Sequence, residues 1–301
     1  MRNAEHVGPH RTVPFRRERN ATLDTLRWAR RRFQIPILLE VDVTDTRRAV
    51  REARRRTGAG PSFTSWVVAC VARAAAKHPR VHSIRRGRTR IVMFDEVDVA
   101  VLVERAVGES GTRETLPMPF VVRRADRKAP TEIHDEIRRA RTEEVVPGAA
   151  SLEPRAARLQ SLFLRLPAPL RDLLYWRWLL RSPERIKRTM GTVVVTASGM
   201  ATPGVLAWGI PSSLHPLAVG VGGIARRSTA AGDRDVLALS VVFDHAVTDG
   251  APVGRFVHRL HELLSGADGL DPAGPAAARD PGPRACGVPR RTPPNDSGAP
   301  G

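Results

Sequence analysis

The sequence predicts a mixed α/β protein (α+β, two-layer), one sheet of mixed direction with flanking helices over residues 21–266. Three observations carry this. Apolar runs of strand length (IPILLEVDV, VDVAVLVE, GTVVVTASG, HPLAVGVGGI and VLALSVVFD) are bounded by Gly, Pro and Asp. Segments of helical apolar period separate them. With 42% hydrophobic residues, 301 positions supply one sizeable core.

Taken in order, residues 1–20 read as an irregular arm, and TLDTLRWARRRF as a short amphipathic helix. IPILLEVDV is a strand. Thr44 or Asp45 can cap the next helix, which Gly58 stops. GPSFTSWVVACVARAAAKHP is the clearest helix. Ser62 caps it, Phe63, Trp66, Val67, Cys70, Val71 and Ala74 share a face, and Pro79 ends it. RIVMF, VDVAVLVE and MPFVVRRA are strands, and a helix opens on Pro130. Residues 143–190 form a helical insert dense in Leu and Trp, broken at Pro167 and Pro169. Leu170, Leu173, Leu174 and Trp178 lie there at helical spacing, and this stripe is expected to bury against the core or a second subunit. A membrane-surface helix is the other reading of the same basic segment. Three strands and a closing helix follow, with Val253, Phe256, Val257, Leu260, Leu263 and Leu264 on one face. The Pro/Gly/Ala-rich stretch 267–301 is expected to be a disordered tail.

Composition narrows the function classes. No run of 18 or more apolar residues argues for a membrane span, and the polar N-terminus does not read as a secretory signal. Cys70 and Cys286 make no disulfide framework, so a cytoplasmic protein is expected. The net charge of +18 comes from 49 basic residues, of which Lys77, Lys128 and Lys187 are the only lysines. The arginines are spread without aromatic interleaving, which argues against nucleic acid as the main partner. Such a surface suits solubility or attraction of a polyanionic small molecule.

Near its end the chain reads LALSVVFDHAVTDGAPVGRFVHRLHELL, an apolar strand, an acid-His-acid-Gly turn and a helix. An imidazole titrates near pH 6.5, so one at the end of a rigid strand suits proton transfer. His245 and Asp249 stand four apart, Asp244 comes just before, and Gly250 offers a tight turn. Taken alone, the pattern is short enough to be an ordinary turn.

Its context is more specific. DHAVTDG, GTVVVTASGM, PLAVGVGGI and the long block LLEVDVTDTRRAVREARRRTGAGPSFTSWVVACVARAAAKHPRVHS occur in one order. Together they resemble the catalytic domain of the acyltransferase (dihydrolipoyl) component of 2-oxo acid dehydrogenase complexes, and the related chloramphenicol acetyltransferase fold. That family's turn reads D-H-R-x-x-D-G in the complexes and H-H-A-V-x-D-G in the antibiotic enzymes. Thr196 falls where the family has its transition-state serine, with Ser198 a second hydroxyl nearby. The resemblance covers residues 30–142 and 190–266.

It implies transfer of an acyl group from coenzyme A to a thiol, hydroxyl or amine. His245 would be the general base and Thr196 the oxyanion donor. Asp249 would pair with an arginine to hold the turn, with Asp244 and Gly250 as its structural residues. It also implies a homotrimer with active sites between subunits, acyl-CoA and an acceptor as partners, no metal, and no lipoyl group on this chain. The sequence departs from the family at Ala246, where the complexes have Arg, and at His82, where Asn is usual. The insert is foreign to the family core, and VERAVGESGTRETLPMPFVV matches the corresponding family segment poorly. No lipoyl-bearing domain is expected ahead of the fold, which favours a stand-alone enzyme. A core subunit serving lipoyl domains on another chain, or a scaffold without turnover, are the alternatives.

Three other features have ordinary explanations. His258 and His261 stand at i and i+3 on a helix face beside Glu262, but no further metal ligand is evident and they read as solvated surface. The carboxylates of FDEVDV read as a polar turn. GVGG lacks the rest of a dinucleotide fingerprint.

Overall fold

A computed structural model of the chain describes residues 8–13, 15, 19–57, 60–107, 114–142, 162–197, 199, 202–230 and 232–267. Residues 268–301, expected as a tail, and 1–7 of the expected arm lie outside these, as do Gly58, Ser198 and 143–161 of the insert. Helix α1 (Arg19–Ala29) leads into β1 (Gln34–Asp42), α2 (Thr44–Thr57) and α3 (Phe63–Lys77). The short strands β2 (Ile84–Arg86) and β3 (Arg90–Val92) pair only with each other. Then come β4 (Val99–Val107), β5 (Glu114–Val122) and α4 (Pro130–Thr142). After the insert follow β6 (Val193–Ala197), β7 (Leu217–Thr229), β8 (Gly232–Asp244) and a closing helix (Gly250–Gly266).

The main sheet has the order β1-β8-β7-β6-β4-β5. β6 lies parallel to both β4 and β7, while the β1–β8, β7–β8 and β4–β5 pairs are antiparallel, so the sheet is mixed as expected. Alternation decides its two faces. One face carries Val99, Val101, Val193, Val195, Leu217, Val219, Leu239 and Val241 into the main core, beneath α2, α3, α4 and the closing helix. Ser62 caps α3 by accepting from the Ser65 amide at 3.1 Å. The predicted α3 face is buried, and so are Val68, Ala69, Ala72 and Ala75, because α3 is the central helix with neighbours on most sides.

The opposite face is lined by small residues (Ala100, Val194, Ala218 and Val242) and is crossed by the loop after β6. Trp208 Nε1 donates to the Leu39 carbonyl at 3.0 Å, the Gly223 amide to Ala207 at 2.9 Å, and Ser240 Oγ to Gly209 at 2.6 Å. This contact explains GVGG. A Cβ on Gly220 or Gly222 would meet the loop carbonyls of Gly209 or Ala207 at 2.2 and 2.1 Å, so the glycines let backbone lie on backbone.

The insert contributes α5, a continuous helix through Ala168–Arg171, a π turn at Asp172–Trp176, and Arg177–Leu180. α6 (Pro183–Met190) follows, and the closing helix is therefore α7. Of the two expectations for the Leu170, Leu173, Leu174 and Trp178 stripe, burial against the chain's own core does not hold; these residues are 44–61% exposed within the chain. α5 is apolar nearly all round, and its other side packs instead. Trp176 and Leu179 join Ile84, Ile186 and Leu214 in a second core. Arg171 on that same side reaches the fully buried Asp24 of α1 through Nε at 2.6 Å and a second nitrogen at 2.8 Å. The carboxylate raises the Arg171 pKa and keeps the guanidinium charged. The extra residue of the π turn allows Arg171, Trp176 and Leu179 to face inward together.

α6 is fixed by Asp98, one of the FDEVDV carboxylates. Asp98 is buried and accepts from Arg123 at 3.0 Å, while Lys187 of α6 approaches to 3.4 Å. Arg123 also donates to the carbonyls of Lys187 and Arg188. A solvated polar turn does not describe Asp98, which joins strand and insert.

Candidate active site

The strand β8 ends at Asp244, and the turn His245–Asp249 carries the chain into α7. Two backbone bonds fix where the turn starts. The Asp244 amide donates to Pro216 at 2.9 Å, and the His245 amide to Phe33 at 2.8 Å. The Asp244 carboxylate, 1% exposed, then braces the turn from within: one oxygen accepts from Arg32 at 3.2 Å and the other from the Ala246 amide at 3.0 Å. His245 itself is half exposed, its side chain at 46%, with Nδ1 3.7 Å from an oxygen of Asp249. The structure thus holds the backbone of His245 rigidly while leaving its ring open to solvent.

Two expectations about this turn need correcting. The arginine expected on Asp249 is on Asp244, and Asp249 has a 75% exposed side chain facing only His245 among the described ionic partners. The reason is topological: Arg32 precedes β1, which pairs directly with β8 and so meets the inner acid of the turn. Gly250 is not there for backbone freedom. Its φ is not positive, and a Cβ would meet nothing within 4 Å.

Beneath the turn lies a pair that sequence reading missed. His215 Nε2 is 2.7 Å from the Met190 carbonyl, which can only accept, so Nε2 carries the proton. Nδ1 therefore accepts from the Ser213 hydroxyl at 2.6 Å. Burial, the larger cause, and nearby Arg32 push the His215 pKa down to about 4, so this ring is neutral. The only signal was a polar S-S-L-H run just before an apolar strand. His82, the departure from the family's Asn, is also buried, bonded through Nδ1 to Thr192 Oγ1 at 3.0 Å. Burial first, then Lys187, lowers its pKa to about 4.

Thr196 lies near the end of β6 on the loop-crossed face, half-buried, in a row with Gly220, Ser240 and Leu38. This register separates it from His245. His245 is two strands away and five positions further along β8 than Ser240, which puts the pair about 15–20 Å apart within one chain. Ser198 lies outside the described residues. On α7, His258 meets Glu262 at 3.3 Å on the exposed surface, and no three metal-ligating side chains converge among the described residues.

Fold and turn define the class: a mixed-sheet α/β domain with a histidine on the rim of the sheet. Residues 7–145 match the family model described as 2-oxoacid dehydrogenases acyltransferase (catalytic domain), and solved structures share the fold over most of the chain. The crystal structure of Azotobacter vinelandii dihydrolipoamide acetyltransferase superposes with a TM-score of 0.61 at 16% identity, over 87% of this chain and 94% of that one. A probable dihydrolipoamide acetyltransferase from Listeria monocytogenes gives 0.57 at 17%, over 87% and 97%. A truncated catalytic core of the 2-oxoacid dehydrogenase multienzyme complex from Thermoplasma acidophilum gives 0.59 at 18%, over 86% and 100%. No curated protein sequence matches.

Proposed function

We propose that the protein transfers an acyl group from coenzyme A to a small thiol, hydroxyl or amine, at sites formed between neighbouring subunits of a trimer. The observation that supports this best is the braced turn presenting an open imidazole. Asp249 lies on the Nδ1 side, so Nε2 is the atom left to accept a proton. His245 Nε2 takes the proton of the acceptor as it attacks the thioester carbonyl. The resulting oxyanion accepts from the Thr196 hydroxyl. The tetrahedral intermediate then collapses, the carbon–sulfur bond breaks, and His245 returns the proton to the departing thiolate. Base assistance of this kind is worth ~10²–10⁴ in rate, and one oxyanion donor ~10²–10³.

Two features favour a site shared between chains. A base and an oxyanion donor must both lie within about 3 Å of the reacting atoms, which the register forbids for His245 and Thr196 of one subunit. Thr196 also lies on the sheet face that bears no helices from the main core, in a row that ends three strands away at the exposed Leu38 of β1. The Azotobacter enzyme, in which a serine, a histidine and an asparagine were studied for roles in catalysis, spaces the last two as His245 and Asp249 are spaced here. The test is release of free thiol from a panel of acyl-CoAs, with and without candidate acceptors. His245→Ala should lower turnover by ~10²–10⁴ with the melting temperature nearly unchanged. Wild-type turnover in that variant refutes the reading.

A further inference from the structure

We propose that the outer face of α5 docks on an anionic lipid bilayer. This is independent of the acyl-transfer reading. Leu170, Leu173, Leu174, Arg177, Trp178 and Arg181 follow each other at helical spacing, and all are exposed. The face cannot turn inward. Arg171 on the opposite side is tied to buried Asp24, and Trp176 and Leu179 are packed, so hiding the leucines would tear a guanidinium from its buried carboxylate. A stripe of three leucines and a tryptophan held outward by its own anchoring asks for a partner that takes apolar side chains.

The charges around the stripe say which partner. Arg165, Arg177 and Arg181 are exposed along it, and Arg185 lies 4.6 Å over the Trp178 ring. An open cleft of about 450 Å³ continues the stripe toward α1, lined by Leu173, Trp28, Arg31 and Arg177, with Arg31 stacked 4.1 Å over Trp28. The acids nearby are engaged. Asp172, also in the cleft, accepts from Trp28 Nε1, and Glu184 pairs with Arg86. Leucine and tryptophan ringed by arginine is the composition of an interfacial helix. The apolar side chains enter the acyl boundary, tryptophan sits at headgroup depth, and guanidiniums meet the phosphates. A two-fold contact with a second copy through this face would instead bring the same arginines against one another.

The experiment is co-sedimentation of the full chain with phosphatidylcholine vesicles, with and without phosphatidylserine. Partition onto the serine-containing vesicles alone is expected. The doubly substituted Leu173→Glu/Leu174→Glu protein should lose it by about tenfold or more with an unchanged melting temperature. Arg177→Gln/Arg181→Gln should also weaken it, and the charge-matched Arg51→Gln/Arg55→Gln on α2 should not. Absence of binding overturns the proposal. So does binding that falls equally in both arginine pairs and survives the leucine pair, which marks diffuse attraction of a basic protein. An assembly that the leucine pair dissociates, without lipid binding, assigns the face to a second copy and overturns it as well.

Discussion

If the reacting groups come from neighbouring subunits, two inactive variants should repair each other. Thr196→Val removes the hydroxyl while preserving shape, and His245→Ala removes the base. Each homogeneous protein should retain about 1% of wild-type turnover or less. In a ring, every site draws its histidine from one chain and its threonine from the next. Co-folding the two variants in equal amounts places an intact histidine on half the chains and an intact threonine on the other half. One site in four then has both, so the mixture should recover about a quarter of wild-type activity. Mixing wild type with the doubly substituted chain gives a second reading of the same geometry. About a quarter of sites should remain if they are shared, and about a half if they lie within one chain. The assay is thiol release after co-denaturation and refolding, with trimer formation checked by light scattering. A mixture of single variants no more active than its parents would refute the shared site and the distance argument behind it.

Five further outcomes follow from the geometry. Asp24→Asn removes the counter-charge of a buried guanidinium and should cost about 3–5 kcal/mol in urea unfolding; a loss below about 1 kcal/mol would mean that the pair does not hold the insert. Asp244→Asn should lower both stability, by ~1–3 kcal/mol, and activity, since it braces the turn that carries His245. Asp249→Asn, by contrast, should move stability by no more than about 0.5 kcal/mol because its side chain is exposed, and the reverse ranking would contradict the assignment of the arginine to Asp244. Gly250→Ala should fold normally, a Cβ there having open space, so any loss of turnover above about tenfold assigns that space to a substrate or a neighbouring subunit. His82 and His215 are held neutral down to about pH 4, whereas in the unfolded chain they take up protons below about 6.5. Their contribution is therefore intact above pH 6.5 and is lost as pH falls toward 4, by ~2–3 kcal/mol each at pH 4.5. His82→Asn should flatten that slope between pH 7 and 4.5, and identical slopes in the two proteins would refute the His82 part.

The sheet was legible because its strands are apolar runs bounded by Gly, Pro and Asp; β6, β7 and β8, buried on both faces, read as continuous apolar runs rather than as alternation. α3 and α7 were equally plain, each with a cap or breaker at its start or end and an apolar stripe between. The insert was not. A helix written LRDLLYWRWLL offers an apolar residue on nearly every side, so periodicity cannot choose the inward face. The choice is made by one long-range pair, Asp24 with Arg171, between residues that each look solvent-exposed by type. The π turn then shifts the spacing by a residue, so a count of 3.6 selects the outward leucines.

The candidate site divides in the same way. His245 could be found because a local motif displays it between a strand and a helix. Its supports could not. Arg32, Phe33 and Pro216 reach the turn only through strand order, since β1 and β7 both flank β8, and no spacing within the chain announces that neighbourhood. The family turn gave the need for an arginine but attached it to the wrong acid. Asp249 sits beyond the tight turn at the start of α7, facing solvent, whereas Asp244 is the last residue of a central strand, where an unpaired carboxylate is costly to bury. The burial of each acid, rather than its place in the motif, decides which one Arg32 neutralises. Asp249 is thereby left free to act on the one group it faces, the imidazole of His245.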